Sequence, residues 1–282
     1  MTFEPEALDR SKSDLAEALR SERKRAGLTQ TALARRCNMS QTKISNIEGG
    51  KLTPAIVDVE TILEAIGTET PVATKILVIA RTALTEWQDD WSSLRRGLDK
   101  KQDELARIDA ITTEFRFFLP MMITGLLATP DYVRASLAGV SGDISRTVAK
   151  KLERQQVLLD TSKYFTFLLT EQAVRWPLVP PVAMAMQVDR LVSVSRIPNV
   201  RLGVIPLERL EPVPETPLSV FTVYDRRLVQ VETHTGALIL RDHRDVKAYR
   251  DDFERYEEYA VFGGACRALL AQWSEGFTRQ GQ

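Results

Sequence analysis

The chain has 282 residues, 44% of them hydrophobic and 27% charged, with 38 basic and 38 acidic side chains and a formal net charge of zero. This is the composition of a folded globular chain with room for two domains, and no apolar run approaches the roughly 18 residues that a membrane span needs. Two cysteines far apart in sequence, Cys37 and Cys266, and two histidines, His234 and His243, give neither a disulfide framework nor metal-ligand spacing. Buried thiols suit a reducing cytoplasm, and the N-terminus lacks a basic-then-apolar secretion signal. The expectation is a cytoplasmic protein with no membrane association, no metal and no cofactor.

Residues 1–10 are polar, contain Pro5 and read as a flexible N-terminus. A helix is expected from Ser13 to Ala26, with Leu15, Ala18 and Leu19 inward and Gly27 as its stop. Two short helices joined by a tight turn follow over residues 29–50. Thr29 caps the first, whose Leu33 and Ala34 face inward, Ala34 being small where another helix crosses. Asn38 tolerates the left-handed backbone of the turn. Ser40 caps the second helix, Ile44 and Ile47 form its inner face, and Gly49-Gly50 ends it. This is helix-turn-helix spacing, in which the N-terminal residues of the second helix enter the DNA major groove.

Those residues are Gln41, Thr42 and Lys43, with Ser45 and Asn46 on the same outward side. Glutamine suits adenine, lysine guanine, and threonine a base edge or a thymine methyl. Gln30, at the start of the first motif helix, belongs beside a phosphate, and its amide could brace Gln41 across the turn. Lys51, just past the second helix, either reaches phosphate or is a solvated loop lysine. From Arg20 to Lys51 eight basic residues face only Glu22 and Glu48, so the positive charge is local although the chain is neutral. The candidate DNA-binding set is Gln30, Ser40, Gln41, Thr42, Lys43, Ser45, Asn46 and Lys51.

Leu19-Arg20, Arg23, Ala26-Gly27-Leu28-Thr29-Gln30, Leu33-Ala34 and Ser40 through Lys51 resemble the Cro/CI (XRE-type) helix-turn-helix family. The resemblance implies a compact all-α domain of the lambda-repressor type. It implies base reading by Gln41 and Thr42, backbone holding by Gln30, and a structural pairing of Glu48 with a first-helix arginine, Arg23.

Past the motif, Lys51-Leu52-Thr53-Pro54 leads into a helix whose Val57, Ile62 and Leu63 complete the small core, and Gly67 to Pro71 reads as the domain boundary. Residues 72–118 read as long helices: a stripe from Ile76 to Trp87 with Trp91 one turn on, a break at Leu94–Asp99, and a helix from Gln102 to Phe118. Thr129-Pro130 starts a helix, and Ile144 to Leu159 is an amphipathic helix with Val148, Leu152 and Leu159 on one side. Tyr164 to Leu169 is a strand, Val182 to Ile197 a helix with Met186 among its apolar residues, and Val200 to Pro206 a strand, which together argue for a parallel pair with a right-handed crossover. A Pro-rich loop over 207–217 precedes a hairpin across Asp225-Arg226-Arg227, a further strand over Ala237–Leu240 and closing helices from Val246 to Trp273.

The expected architecture is therefore multidomain: an all-α helix-turn-helix domain over residues 11–70, a helical linker and dimerisation segment over 71–160, and a mixed α/β sensor or partner-binding domain over 161–282. No Gly-rich phosphate loop, nucleophile elbow or acidic metal cluster is present, so no enzyme is indicated. Phe115, Phe118, Met121 and Met122 read either as core or as an adaptable apolar pocket. Arg154 and Gln155 read either as a solvated helix face or as pocket lining. Glu232, with His234 at a strand end, is a surface pair or part of a cleft. The candidate ligand or partner set is Phe115, Phe118, Met122, Arg154 and Glu232.

A second resemblance runs from about residue 74 to 271. It is carried by Trp87 and Trp91, Gly125 through Ala135, Val148 through Gln155, Glu171 through Arg175, Gln187 through Leu191, Pro198-Asn199-Val200, Val204-Ile205-Pro206, Val231-Glu232 and Gly236. These are similar to the actinobacterial regulators that join an XRE-type domain to a DUF5753 (antitoxin-like) domain. The resemblance implies a transcription regulator whose C-terminal domain senses a small-molecule effector or a small protein encoded nearby. Thr124 and Ala128 stand where the family usually has Pro and Gln, so this effector can differ. The expected partners are double-stranded DNA with a palindromic operator and a second copy of the chain as homodimer. The alternative is an antitoxin-like interaction module that captures a small partner and autoregulates its operon.

Overall fold

Side-chain caps start the short helices of the N-terminal part. Thr29 Oγ1 accepts the Ala32 N–H at 3.1 Å at the head of α2 (Gln30–Arg36), and Ser40 Oγ accepts the Lys43 N–H at 3.1 Å at the head of α3 (Gln41–Glu48). Both are preceded by α1 (Pro5–Arg25) and followed by α4 (Ile56–Ile66) and α5 (Thr70–Ala83). The computed structural model describes residues 5–89, 98–140, 143–208, 216–233 and 236–281. Trp91, most of the Leu94–Asp99 break, Pro212, Pro214 and His234 lie outside them.

The chain divides into two compact units, one of residues 1–87 with 238–244 and the other of 88–237 with 245–282. The core of the first unit includes Leu15, Leu19, Leu33, Ala34, Ile44, Ile47, Ile62 and Leu63, as the apolar spacing required, joined by Ile76, Ala80 and Ala83 of α5. Four expectations change here. Helix α1 begins at Pro5 rather than Ser13. Val57 is 57% exposed, and Ile56 and Val59 take the inward positions. The boundary expected at Gly67–Pro71 falls inside the unit: Gly67, at φ 76°, ends α4 in a left-handed cap, and α5 then packs back against α1. The helix expected to reach Trp87 stops at Ala83, and Thr85–Asp89 is strand β1.

The second unit carries a mixed sheet. Strand β2 (Glu114–Leu119) pairs parallel with β3 (Tyr164–Thr170), and β3 parallel with β4 (Val200–Ile205). On the other side β2 pairs antiparallel with β5 (Phe221–Tyr224), and β5 with β6 (Leu228–Thr233). The short β8 (Val261–Phe262) runs antiparallel to β4. Strand β7 (Gly236–Leu240) follows β6 in sequence. Helices α6 (Leu98–Ile111), α7 (Pro130–Ser136), α8 (Ser145–Arg154), α9 (Glu171–Arg175), α10 (Pro181–Val194), α11 (His243–Glu258) and α12 (Gly263–Gln280) complete the chain. The β3–α10–β4 crossover and the β5–β6 hairpin, with Asp225 at φ 51°, stand where the sequence put them.

The main correction concerns β2. Residues 114–118 were expected to end a helix, yet 114–119 form the strand that joins the parallel to the antiparallel half of the sheet. Phe115, Phe117, Phe118 and Leu119 are all buried; Glu114 and Arg116 alternate with the first two at half-buried positions, but the alternation is only four residues long and gives way to the apolar pair Phe118-Leu119. Phe115 stacks on Phe165 at 4.6 Å, and on the opposite face Phe118 stacks on Tyr256 of α11 at 4.0 Å. Burying each such side chain stabilises the unit by ~1.5–3 kcal/mol. Helix α8 also ends early. Gln155–Leu159 tightens into a 3₁₀ turn, which buries Leu158 and leaves Leu159 69% exposed. Met186, expected on the apolar face of α10, is exposed, and Met184 and Gln187 are buried in its place.

Candidate nucleic-acid interface

The turn between α2 and α3 is made by Asn38 at φ 52°, a backbone that asparagine tolerates and bulky residues do not. It presents the first turn of α3 outward. Gln41 and Thr42 are exposed, Lys43, Ser45 and Asn46 are half-buried, and Ser40 and Lys51 are exposed.

Behind this surface runs a relay of hydrogen bonds. Arg23 Nε and Nη2 donate to the two carboxylate oxygens of Glu48 at 2.6 and 2.8 Å. Gln30 Nε2 donates to Glu48 Oε2 at 2.9 Å, and Gln41 Nε2 donates to Gln30 Oε1 at 3.1 Å. Burial alone would raise the Glu48 carboxyl, but the hydrogen bonds from Arg23 and Gln30 outweigh it and hold the group below the ordinary carboxylate range. An ionised carboxylate only accepts, so Gln30 must turn its nitrogen to Glu48 and its oxygen to Gln41. Gln41 keeps its own oxygen and one N–H for a partner in front of the helix. The Arg23–Glu48 pair expected from the family pattern and the Gln30–Gln41 brace are both present. The bond from Gln30 to Glu48 was not anticipated, although the three residues' spacing along two crossing helices allows it.

Two features were missed. Lys43 Nζ forms an ion pair with Asp58 Oδ1 of α4 at 2.8 Å, so this lysine is not free in front of the helix. Several of the basic residues counted from sequence are likewise occupied: Arg20 donates to the Glu48 carbonyl, Arg25 pairs with Glu22 at 2.8 Å, and Arg36 Nη1 donates to the Ala65 carbonyl at 3.2 Å. None of these pairings follows from local spacing except Glu22–Arg25. Cys37 is buried, which raises its thiol pKa and makes it a core residue.

The residues singled out in the second unit do not converge on a pocket. Phe115 and Phe118 are core residues on opposite faces of β2. Arg154 is neither solvated nor open. Its Nε and Nη2 donate to Asp109 at 2.6 and 3.1 Å, in a buried pair beside Tyr224, whose hydroxyl pKa burial raises strongly. Gln155 Nε2 ties down the carbonyls of Gly125 and Ala128 at 2.8 and 2.7 Å. Glu232 accepts a hydrogen bond from Gln230 on its own strand, and Met122 is partly exposed after β2. Among the described residues no group of three His, Cys, Asp or Glu is placed to hold a metal ion, and no helix is long and apolar enough to cross a membrane.

A helix-turn-helix unit with an outward polar first turn, joined to a separate mixed α/β unit, defines a DNA-binding regulator class. The comparisons agree. A helix-turn-helix domain model matches residues 14–74, and the model described as Domain of unknown function (DUF5753) matches residues 102–272. The chain belongs to the DUF5753 family. No curated protein matches it. Among solved structures it has a slight likeness to NucT from Helicobacter pylori, at 8% identity and TM-score 0.36, covering 64% of this chain and 98% of that one. TrmBL2, an archaeal chromatin protein with a novel mode of DNA binding, has 13% identity and TM-score 0.32, covering 79% and 67%. Neither likeness is close enough to transfer a fold or a function.

Proposed function

We propose that the chain is a sequence-specific transcriptional regulator that reads an operator with α3. The observation that carries this reading is the polarised amide relay. Glu48 orients Gln30, Gln30 orients Gln41, and Gln41 presents an acceptor and a donor together, the pattern that matches the N6–H and N7 of adenine in the major groove. Thr42 and Asn46 contact neighbouring base edges. Ser40, Ser45 and Lys51 lie at the rim, where phosphates run. Gln30 braces the reader and sits beside the backbone. Lys43 exchanges Asp58 for a base or phosphate on binding. A partly exposed ion pair of this kind is worth only about 0–1 kcal/mol, less than the ~1–3 kcal/mol of a good base contact.

The chain acts as a homodimer whose two α3 helices meet half-sites of a palindrome about one helical turn apart. The second unit, beyond the helix-turn-helix domain, contributes the dimer contact and receives the regulatory input. Selection of bound DNA from a random pool by the purified protein tests the reading. The expected outcome is a two-half-site motif with an adenine at the position that Gln41→Ala makes indifferent. Enrichment of no motif by the purified chain and its Gln41→Ala variant alike overturns it.

A further inference from the structure

The second unit contains a cleft of about 370 Å³ that none of the candidate ligand residues Phe115, Phe118, Met122, Arg154 and Glu232 lines. It lies outside the carboxyl ends of the parallel strands β3 and β4, where α/β sheets leave room for ligands. The chain leaving β3 supplies Glu171 and Arg175, the chain leaving β4 supplies Glu208, and α12 supplies Trp273, Gly276 and Arg279. The volume is within the range of small-molecule sites.

Its chemistry is balanced. Glu171 is buried, with one oxygen accepting from Arg175 and the other accepting the Leu207 N–H at 2.9 Å. That leaves the carboxylate pinned but with lone pairs to spare. Arg175 is half-exposed beside it and has donors that Glu171 does not take up, and Arg279 and Glu208 are exposed at the rim. Two carboxylates and two guanidiniums thus surround the half-buried indole of Trp273. A ligand of a single charge would meet a like-charged pair on one wall. A ligand carrying both signs on an apolar body would meet complementary groups on each.

We infer that this cleft binds a free amino acid with a large apolar side chain, its carboxylate on Arg175 and Arg279, its ammonium on Glu208 and Glu171, and its side chain on Trp273. This deepens the reading of the second unit as the receiver of a small-molecule input and rests on it for its biological sense. The binding itself stands apart from DNA recognition and is measured without DNA.

The test is calorimetric titration of the full chain with L-phenylalanine, N-acetyl-L-phenylalanine, which lacks the cation, and L-phenylalaninamide, which lacks the carboxylate. The expected result is saturable binding of phenylalanine at one site per chain, with both analogues at least about tenfold weaker, as when buried polar partners are left unpaired. Gly276→Leu supplies the blocking variant. A Cβ at Gly276 meets nothing within 4 Å, and leucine is a better helix former, so the substitution fills the cleft without disturbing the fold. It is expected to abolish binding with a melting curve no lower than that of the unaltered chain, and Arg279→Ala to weaken binding. Absence of saturable phenylalanine binding, binding of either analogue as tightly as phenylalanine, or unaltered binding by a normally folded Gly276→Leu chain overturns the proposal. Because no DNA is present, such a result removes this ligand and leaves operator reading by α3 untouched.

Discussion

Single side chains decide how the reading helix behaves. Asp58 holds Lys43 at 2.8 Å, and neutralising it frees one cation beside the α3 surface. Asp58→Asn is therefore expected to tighten binding to random DNA, because the lysine no longer has to leave a carboxylate to meet phosphate, measured by anisotropy titration at one salt concentration. Unchanged affinity would show that Lys43 does not reach the backbone. Glu48 is the second such residue. Its folded pKa lies below the ordinary carboxylate value, so its stabilisation is complete above that value and is lost as pH falls through the lowered folded pKa. Acid should destabilise the first unit below about pH 4. Glu48→Gln should remove that dependence and cost about 3–5 kcal/mol at neutral pH, because Arg23 is left buried without its partner. Urea unfolding at pH 7 and pH 3 measures both. The Arg23–Glu48 and Gln30–Gln41 contacts were legible in the sequence because they belong to a recurring helix-turn-helix pattern. Lys43–Asp58 was not, since it joins residues on separate helices and depends on the angle at which α3 meets α4.

At the scale of elements, local chemistry and tertiary covering divide what can be read. Thr29, Ser40, Thr129 and Thr170 all cap helices through side-chain oxygens, and at three of the four, Thr29, Ser40 and Thr129, a helix start was read directly from the sequence. Strands β3 and β4 showed in composition and alternation. Strand β2 did not, because its alternation lasts only from Glu114 to Phe117 before the apolar run Phe118-Leu119, and it closely follows the charged, helix-forming α6. Strand β8 is only two residues long and exists through its pairing with β4. That pairing makes Gly203 a requirement: a Cβ there would lie 2.4 Å from the Phe262 ring, which is itself held under the Arg201 guanidinium at 3.9 Å. Gly203→Ala should cost ~1–3 kcal/mol by overpacking, read from the midpoint of denaturant unfolding. The cleft beside Glu171 escaped the sequence for a similar reason. Glu171, Glu208 and Trp273 are brought together only by the return of α12 to the ends of β3 and β4.

For the whole molecule, two units with separate cores predict more than one unfolding transition, so a single melting temperature does not describe the chain. Scanning calorimetry should show Glu48→Gln lowering one transition and Gly203→Ala lowering the other. One cooperative transition shifted equally by both would contradict that division. The proposed operator reading rests on Gln41, held by a polarised relay. The most direct measurement compares the affinity of the wild-type chain and of Gln41→Ala for the selected operator and for scrambled DNA at one salt concentration. The expected result is a loss of ~1–3 kcal/mol on the operator per half-site contact and almost none on scrambled DNA. Equal losses on both would mean that Gln41 holds backbone rather than bases, and would contradict that reading.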